Sequence, residues 1–169
     1  MIETIQMAAQ ASDFVNSFGA STGFSLFWAI CAIGGGMLGA GIGGNWAFVM
    51  TGFSVFLGFG IAATTGSDIG LTYLAFGPVF GPHVCFASAV AAHAYAGRKG
   101  LLGEKKGKDI DTSPAGFGDP TMLWIGAAFG LGGYLVERCI RLIPWFGGNT
   151  DTVALTVFLS ALVTRLIFG

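Results

Sequence analysis

The sequence predicts an all-α integral membrane protein of about five transmembrane helices, the third broken between Gly77 and His83. Three observations predict it. Hydrophobic residues make up 53% of the 169 residues and charged residues only 10%, against about 25% charged in an ordinary soluble domain. Several apolar stretches approach the ~20 residues needed to cross a bilayer. Glycine, at 29 residues, collects inside those stretches and not only between them. The same composition excludes intrinsic disorder, which needs low hydrophobicity and high net charge. It excludes collagen, because the glycines have no period of three. Eight basic and nine acidic side chains cannot coat a soluble globule of this length.

The chain divides into an N-terminal segment, 1–20, and a single transmembrane domain, 21–169. Segment 1–20 is mildly amphipathic, with Ile2, Ile5, Phe14 and Phe18 set among Gln, Asn, Ser and Asp. It reads as an interfacial helix, although it lacks the Lys and Arg usual there. It carries no basic residue ahead of an apolar core and so does not read as a secretory signal. Span one covers 22–43 and span two 46–63, both without a charge. Only Gly44-Asn45 separates them, which predicts a tight helical hairpin. The third stretch, 69–96, again has no Asp, Glu, Lys or Arg. A polar loop follows over 97–119. Span four runs from 120 to 136 and continues amphipathically to 143, and span five covers 152–168. Asp119-Pro120 reads as an N-cap with Pro at the first helical position. Asp68 and Asp151 place carboxylates at the starts of spans three and five, where the helix dipole favours them. Trp46 and Trp145 fall at span ends, as interfacial aromatics do.

Orientation follows from the basic residues. Arg98, Lys99, Lys105, Lys106 and Lys108, five of the eight, sit in the 97–119 loop. Positive loops stay in the cytoplasm. The expected topology in the cell membrane therefore has the N-terminus outside, with the loop and the C-terminus inside. The net charge of −1 gives no basic field for nucleic acid. Cys31, Cys85 and Cys139 have neither disulfide nor zinc spacing and read as small packing residues.

Span one contains Gly35, Gly39 and Gly43 at intervals of four, beside Gly36, Ala40 and Gly44. Span four repeats the device with Gly126 and Gly130. Small residues at that interval let helices approach closely in lipid, where the hydrophobic effect does not drive association. They predict helix packing and a homo-oligomer assembled through the glycine-rich helices, with a further membrane subunit as a second candidate partner. Trp28 to Gly36 also resembles Trp124 to Gly132, and Gly43-Gly44-Asn45 resembles Gly147-Gly148-Asn149. With one span between, the pairs 1–2 and 4–5 would form an inverted repeat, as in many secondary transporters.

The third stretch carries two Gly-Pro pairs, Gly77-Pro78 and Gly81-Pro82, followed by His83. Each proline removes a backbone donor and disfavours α geometry in the residue before it. Irregular backbone in a bilayer survives only where protein buries it or where it lines a watery cavity, and such breaks mark transport sites. His83 is the one titratable side chain at mid-depth, where ionisable groups are expensive and functional. The expected pathway residues are His83, Gly77, Pro78, Gly81, Pro82 and Ser88, with Pro82-His83 opening the second half-helix. Glu137, Arg138 and Arg141 form a candidate vestibule at the outer end of span four, and His93, near the cytoplasmic end, reads as a snorkelling or capping residue. No nucleophile–base, HExxH, nucleotide-binding or haem-ligand arrangement stands out, so neither enzyme activity nor a cofactor or metal is expected. The function these features imply is a small transporter or channel subunit moving a small polar or anionic solute or ion. The alternative is a structural subunit of a larger membrane complex.

Overall fold

The computed structural model describes residues 25–105 and 109–169. The amphipathic segment expected at 1–20 lies outside the described residues, as do Lys106 and Lys108. Among those described the chain is helical, with no strand. Helix α1, Leu26–Ile42, is capped by Ser25, whose hydroxyl oxygen accepts from the Trp28 N–H at 3.4 Å. Helix α2 is Gly44–Thr65 and ends on left-handed Gly66. A six-residue π-helix, Gly70–Ala75, precedes α3, Cys85–Arg98. Two 3₁₀ turns, Gly103–Lys105 and Pro114–Phe117, lie in the polar loop. Then come α4, Thr121–Arg141, the single turn α5, Phe146–Asn149, and α6, Thr152–Phe168.

The caps explain the edges. The Asp151 carboxylate accepts from the Ala154 N–H at 2.9 Å and starts α6. At α4 the cap sits one residue later than expected, on Pro120. Asp119 instead accepts from Thr121, whose hydroxyl and N–H hold its carboxyl below the usual carboxylate range.

Residue pairs set the directions. Ser25 meets Tyr134, Ala32 meets Gly130 and Ala40 meets Gly126, so α1 and α4 are antiparallel. Gly35 meets Val79 and Gly39 meets Cys85, so α1 runs parallel to the 79–88 segment. Gly58 meets Gly70 and Thr51 meets Phe80, so α2 is antiparallel to that stretch. Glu137 meets Thr152 and Phe129 meets Phe168, so α6 is antiparallel to α4. Five segments thus alternate in direction. The expected hairpin of spans one and two is corrected in its packing. These helices run oppositely but hardly touch beyond their junction, because α1 is taken up by α4 and α3, and α2 by the 70–86 stretch.

Glycine explains why α1 chooses those neighbours. A Cβ at Gly36 would fall on the Gly126 carbonyl and 2.9 Å from the Gly130 Cα; one at Gly39 would fall on the Cys85 carbonyl, and one at Gly35 would lie 2.7 Å from the Val79 carbonyl oxygen. The two strips therefore face different partners, Gly36 and Ala40 toward α4, Gly35 and Gly39 toward the 78–88 segment. All are buried within one chain. Gly35, Gly39, Gly126 and Gly130 are thus covered by other segments of the same chain. Gly43 packs against the polar loop and not against another helix. Its φ of +93° turns the chain between α1 and α2, and the Asp111 carbonyl oxygen lies 2.7 Å from where a Cβ would stand. A Cβ at Gly132, the residue the expected repeat pairs with Gly36, would meet nothing, so these two glycines pack differently.

The polar loop is tied to this bundle. Asp109 accepts from the N–H groups of Asp111 and Thr112, each at 3.0 Å. The Asn45 N–H donates to the Ile110 carbonyl at 3.0 Å. His93 is buried and its ring nitrogens face the Ala89 and Thr112 carbonyls at 2.8 and 2.6 Å. It is a pin between α3 and the loop rather than a cap.

Helices α2 and α4 are long and apolar enough to cross a membrane, with mean hydropathy 1.8 and 1.2 over their best windows; α1 and α6 are apolar but shorter, at 17 residues each.

The glycine contacts predict opposite signs for one substitution. Alanine favours a helix over glycine by about 1 kcal/mol, whereas overpacking a tight contact costs about 1–3 kcal/mol. Gly130→Ala should destabilise, and Gly132→Ala or Gly41→Ala, which meet open space, should be neutral or stabilising. Unfolding of the three variants in detergent checks this; a stabilised Gly130→Ala contradicts the contact.

Candidate functional site

Between Ala75 and Cys85 the chain is not helical. Pro78 and Pro82 can donate no backbone hydrogen bond, so other groups must satisfy the carbonyls. The Gly81 N–H donates to the Gly77 carbonyl at 3.0 Å, and the Val84 and Cys85 N–H groups both donate to Gly81 at 2.9 Å. The Ala87 N–H reaches the Pro82 carbonyl at 2.9 Å. From α2, the Thr51 hydroxyl donates to the Phe80 carbonyl at 2.6 Å. Gly77, Pro78, Gly81 and His83 are all buried. The irregular backbone is therefore closed by α1, α2 and α4, as unpaired polar groups require. Helix α3 begins at Cys85 and not at Pro82-His83, because Gly81 spends its carbonyl on a tight turn first.

His83 lies midway along the bundle. Its carbonyl packs where a Cβ on Gly133 would stand, and its side chain is 1% exposed, with Nδ1 making no hydrogen bond. Gly133 belongs to one stripe of α4: Gly126, Gly130, Gly133 and Glu137, at steps of four, three and four. The glycines admit α1 and residue 83. One turn on, Glu137 points the same way and is fully buried.

Glu137 is the polar centre of this end. It accepts from the Thr152 hydroxyl at 2.9 Å and from the Arg141 guanidinium, and forms an ion pair with Arg138 at 3.1 Å. Arg138 also lies over the Tyr134 ring, 5.6 Å from its centre, and Tyr134 takes a hydrogen bond from the Ser25 N–H at 3.0 Å. His83 stands within the field of Glu137, Arg138 and Arg141. The two groups of residues singled out separately in the sequence thus meet across Gly133. Glu137 is not a vestibule wall but a buried anchor joining α4 to the start of α6.

Two cavities adjoin this centre. One, of about 480 Å³, is lined by Leu71, Thr72, Phe76, Arg141, Asp151 and Thr152 among others. The second, of about 440 Å³, lies over the irregular segment and is lined by Thr51, Phe76, Pro82, Phe86 and Asp151. Phe76, Asp151 and Val153 border both. Of the expected pathway residues, Pro82 faces the second cavity. His83 lines neither. Ser88 is spent on packing, its one hydroxyl proton shared between the Cys85 carbonyl at 2.9 Å and the Gly36 carbonyl at 3.2 Å. Arg141 lines the first cavity. The sequence reading missed Asp151 and Thr152 as cavity and anchor residues; Thr152 gave no signal, whereas Gly133 continues a spacing already visible from Gly126 and Gly130.

A buried carboxylate stripped of its counter-ions costs about 3–5 kcal/mol, while replacing the whole ionic group by apolar residues is often close to neutral. Arg138→Leu with Arg141→Leu should therefore destabilise strongly, and adding Glu137→Leu should restore most of the loss. Unfolding in detergent compares them; a triple variant no more stable than the double contradicts Glu137 as a buried anion.

No curated protein and no solved structure matches the chain. Residues 19–169 match a family of unknown function, DUF7973, and the chain belongs to that family.

Proposed function

We propose that this is a small multi-pass membrane protein that moves a small polar or anionic solute or ion past the irregular 76–84 segment. One observation carries the reading: two adjoining cavities run from a polar end, with Arg141, Asp151 and Thr152, to the segment where the third stretch leaves the helix. Lipid tolerates irregular backbone only when protein shields it or it borders a polar path; here protein shields it, and the cavity beside it is lined mostly by apolar side chains, with Thr51 and Asp151 as its polar members. The alternating direction of five segments supports five crossings. So do the aromatic side chains that α2 leaves in the open, with Trp46, Phe53, Phe56 and Phe59 each more than half exposed, a surface that suits acyl chains and not water. The basic loop assigns the Arg98 end to the cytoplasm and the Arg141 end to the outside. The same exposed aromatic face favours, as a second reading, an accessory subunit docked to a larger membrane complex.

The test uses the purified full chain in vesicles loaded with potassium chloride, potassium acetate or glycerol. At least one solute should exchange faster than in empty vesicles. Val153→Trp fills the point shared by the two cavities and should reduce that exchange about tenfold or more. A cysteine at Gly100 should react only with reagents that reach the cytoplasm. Exchange no faster than empty vesicles, with the chain recovered in a defined hetero-complex, overturns transport in favour of the accessory subunit.

A further inference from the structure

Two charged side chains, Arg141 and Asp151, line the polar cavity without pairing with each other. Arg141 gives its Nε hydrogen to Glu137. A guanidinium carries five N–H donors, and the others on Arg141 meet no acceptor among the described residues. Asp151 accepts from the Ala154 N–H at 2.9 Å through Oδ1. Its Oδ2 takes no hydrogen bond among the described residues. Both side chains are exposed, so these atoms are open to a solute.

Asp151 also borders the second cavity, together with Phe76 and Val153. That cavity has a different character. Phe48, Phe76, Pro82 and Phe86 form much of its wall. Of its two polar members, Thr51 spends its hydroxyl on the Phe80 carbonyl at 2.6 Å. The other is Asp151 itself. A guanidinium, a carboxylate and an apolar chamber therefore surround one point. A ligand matches all three when a single carbon carries an anionic group, a cationic group and an apolar group.

The charges at this end disfavour a simple ion. Among the described residues here, Glu137, Asp151 and Asp68 are acidic, and Arg138 and Arg141 are basic. Asp68 stands behind Thr72, whose hydroxyl donates to it at 3.2 Å. The C-terminus of α4 and the N-terminus of α6 contribute about half a negative and half a positive charge, and these cancel. The balance is slightly negative. An anion alone would lose to the carboxylates what it gains from Arg141. A cation alone would leave the Arg141 donors unpaired and meet their charge. A zwitterion satisfies both sides with charge-assisted hydrogen bonds and leaves the balance unchanged.

We propose that this site binds a zwitterionic amino acid with an apolar side chain. Its carboxylate lies on the Arg141 guanidinium, its ammonium on Asp151 Oδ2, and its side chain in the cavity walled by Phe76 and Phe86. The inference rests on the transport reading given above and names the substrate class within it. On the same orientation the ligand arrives from outside.

The purified full chain in detergent is dialysed to equilibrium against labelled leucine, glycine, isoamylamine or 4-methylpentanoate. The amine is leucine without its carboxylate, and the acid is leucine without its ammonium. Leucine should bind about tenfold or more tighter than each of the other three. One charge-assisted hydrogen bond is worth about that factor, and glycine leaves the apolar cavity unfilled. Asp151→Asn keeps a good N-cap and should weaken leucine binding about tenfold, with the unfolding temperature of the free protein within a few degrees. Arg141→Lys keeps a positive charge beside Glu137 but loses the fork, and should weaken leucine binding by a smaller factor. Three results overturn the proposal: a folded chain that binds no leucine, leucine held no tighter than the other probes, or unchanged binding in both variants. Vesicles separate this outcome from that of the transport reading. Leucine that binds while no solute exchanges, leucine included, supports the site and overturns transport. Chloride, acetate or glycerol that exchanges while leucine neither binds nor competes supports transport and overturns the site.

Discussion

Gly36 touches three things at once. The Gly126 carbonyl occupies the space of its missing side chain, the Gly130 Cα closes the same gap, and its own carbonyl takes the Ser88 hydroxyl. This is backbone against backbone, where dispersion gains accumulate atom by atom over a close surface. Everything else in the bundle is arranged around that approach. Because α1 lies so near α4, the 78–88 segment can press against Gly35 and Gly39 from the other side. Because Gly133 continues the α4 stripe, residue 83 sits against it, and Glu137 lands one turn further along, where α6 begins. The close approach is thus the constraint that packs most of a broken stretch into the interior of the fold.

The irregular segment depends on that clamp. A stretch with two prolines and two glycines in ten residues has little helical preference and fewer donors than acceptors. It holds its form because Thr51, Gly35 and Gly133 supply what its own backbone lacks: a donor in one case and room in the other two. The ionic centre at Glu137 is a separate device at one end. It joins α4 and α6 through Thr152, and its two arginines, partly exposed, keep one face toward the cavity that meets the irregular segment. Rigid packing on one side and open volume on the other is the physical difference between the α1–α3–α4 contact and the α2–α6 side.

Much of this was legible before any coordinates. Helix starts followed Asp151 and, within one residue, Asp119, because a carboxylate beside free N–H groups is a local signal. The glycine intervals announced close packing. They could not say with whom, since a strip that fits another helix of the same chain and one that fits a second copy have the same spacing. That is why an assembly surface was expected where an internal contact lies. Gly43 was hidden for a related reason: it stands in the run of four but is used for its φ and for the close approach of the Asp111 carbonyl, not for a helix contact. The Gly-Pro pairs marked where the helix would fail. They did not reveal that the stretch before them would wind as a π-helix, nor that His83 would turn away from both cavities. Those outcomes depend on Gly58 and Gly133, residues distant in sequence. Thr152 was invisible because a threonine in an apolar helix reads the same whether its hydroxyl serves its own backbone or an ion centre.

The central claim is that the glycine strips of α1 and α4 are consumed within one chain. A nuclear Overhauser contact between the Ala40 methyl and the Gly126 α-protons, measured in detergent micelles on uniformly labelled protein and again on a mixture of differently labelled chains filtered for contacts between them, tests it most directly. The account predicts the contact in the first sample and its absence from the second. A contact that appears between chains, or none at all, would contradict it.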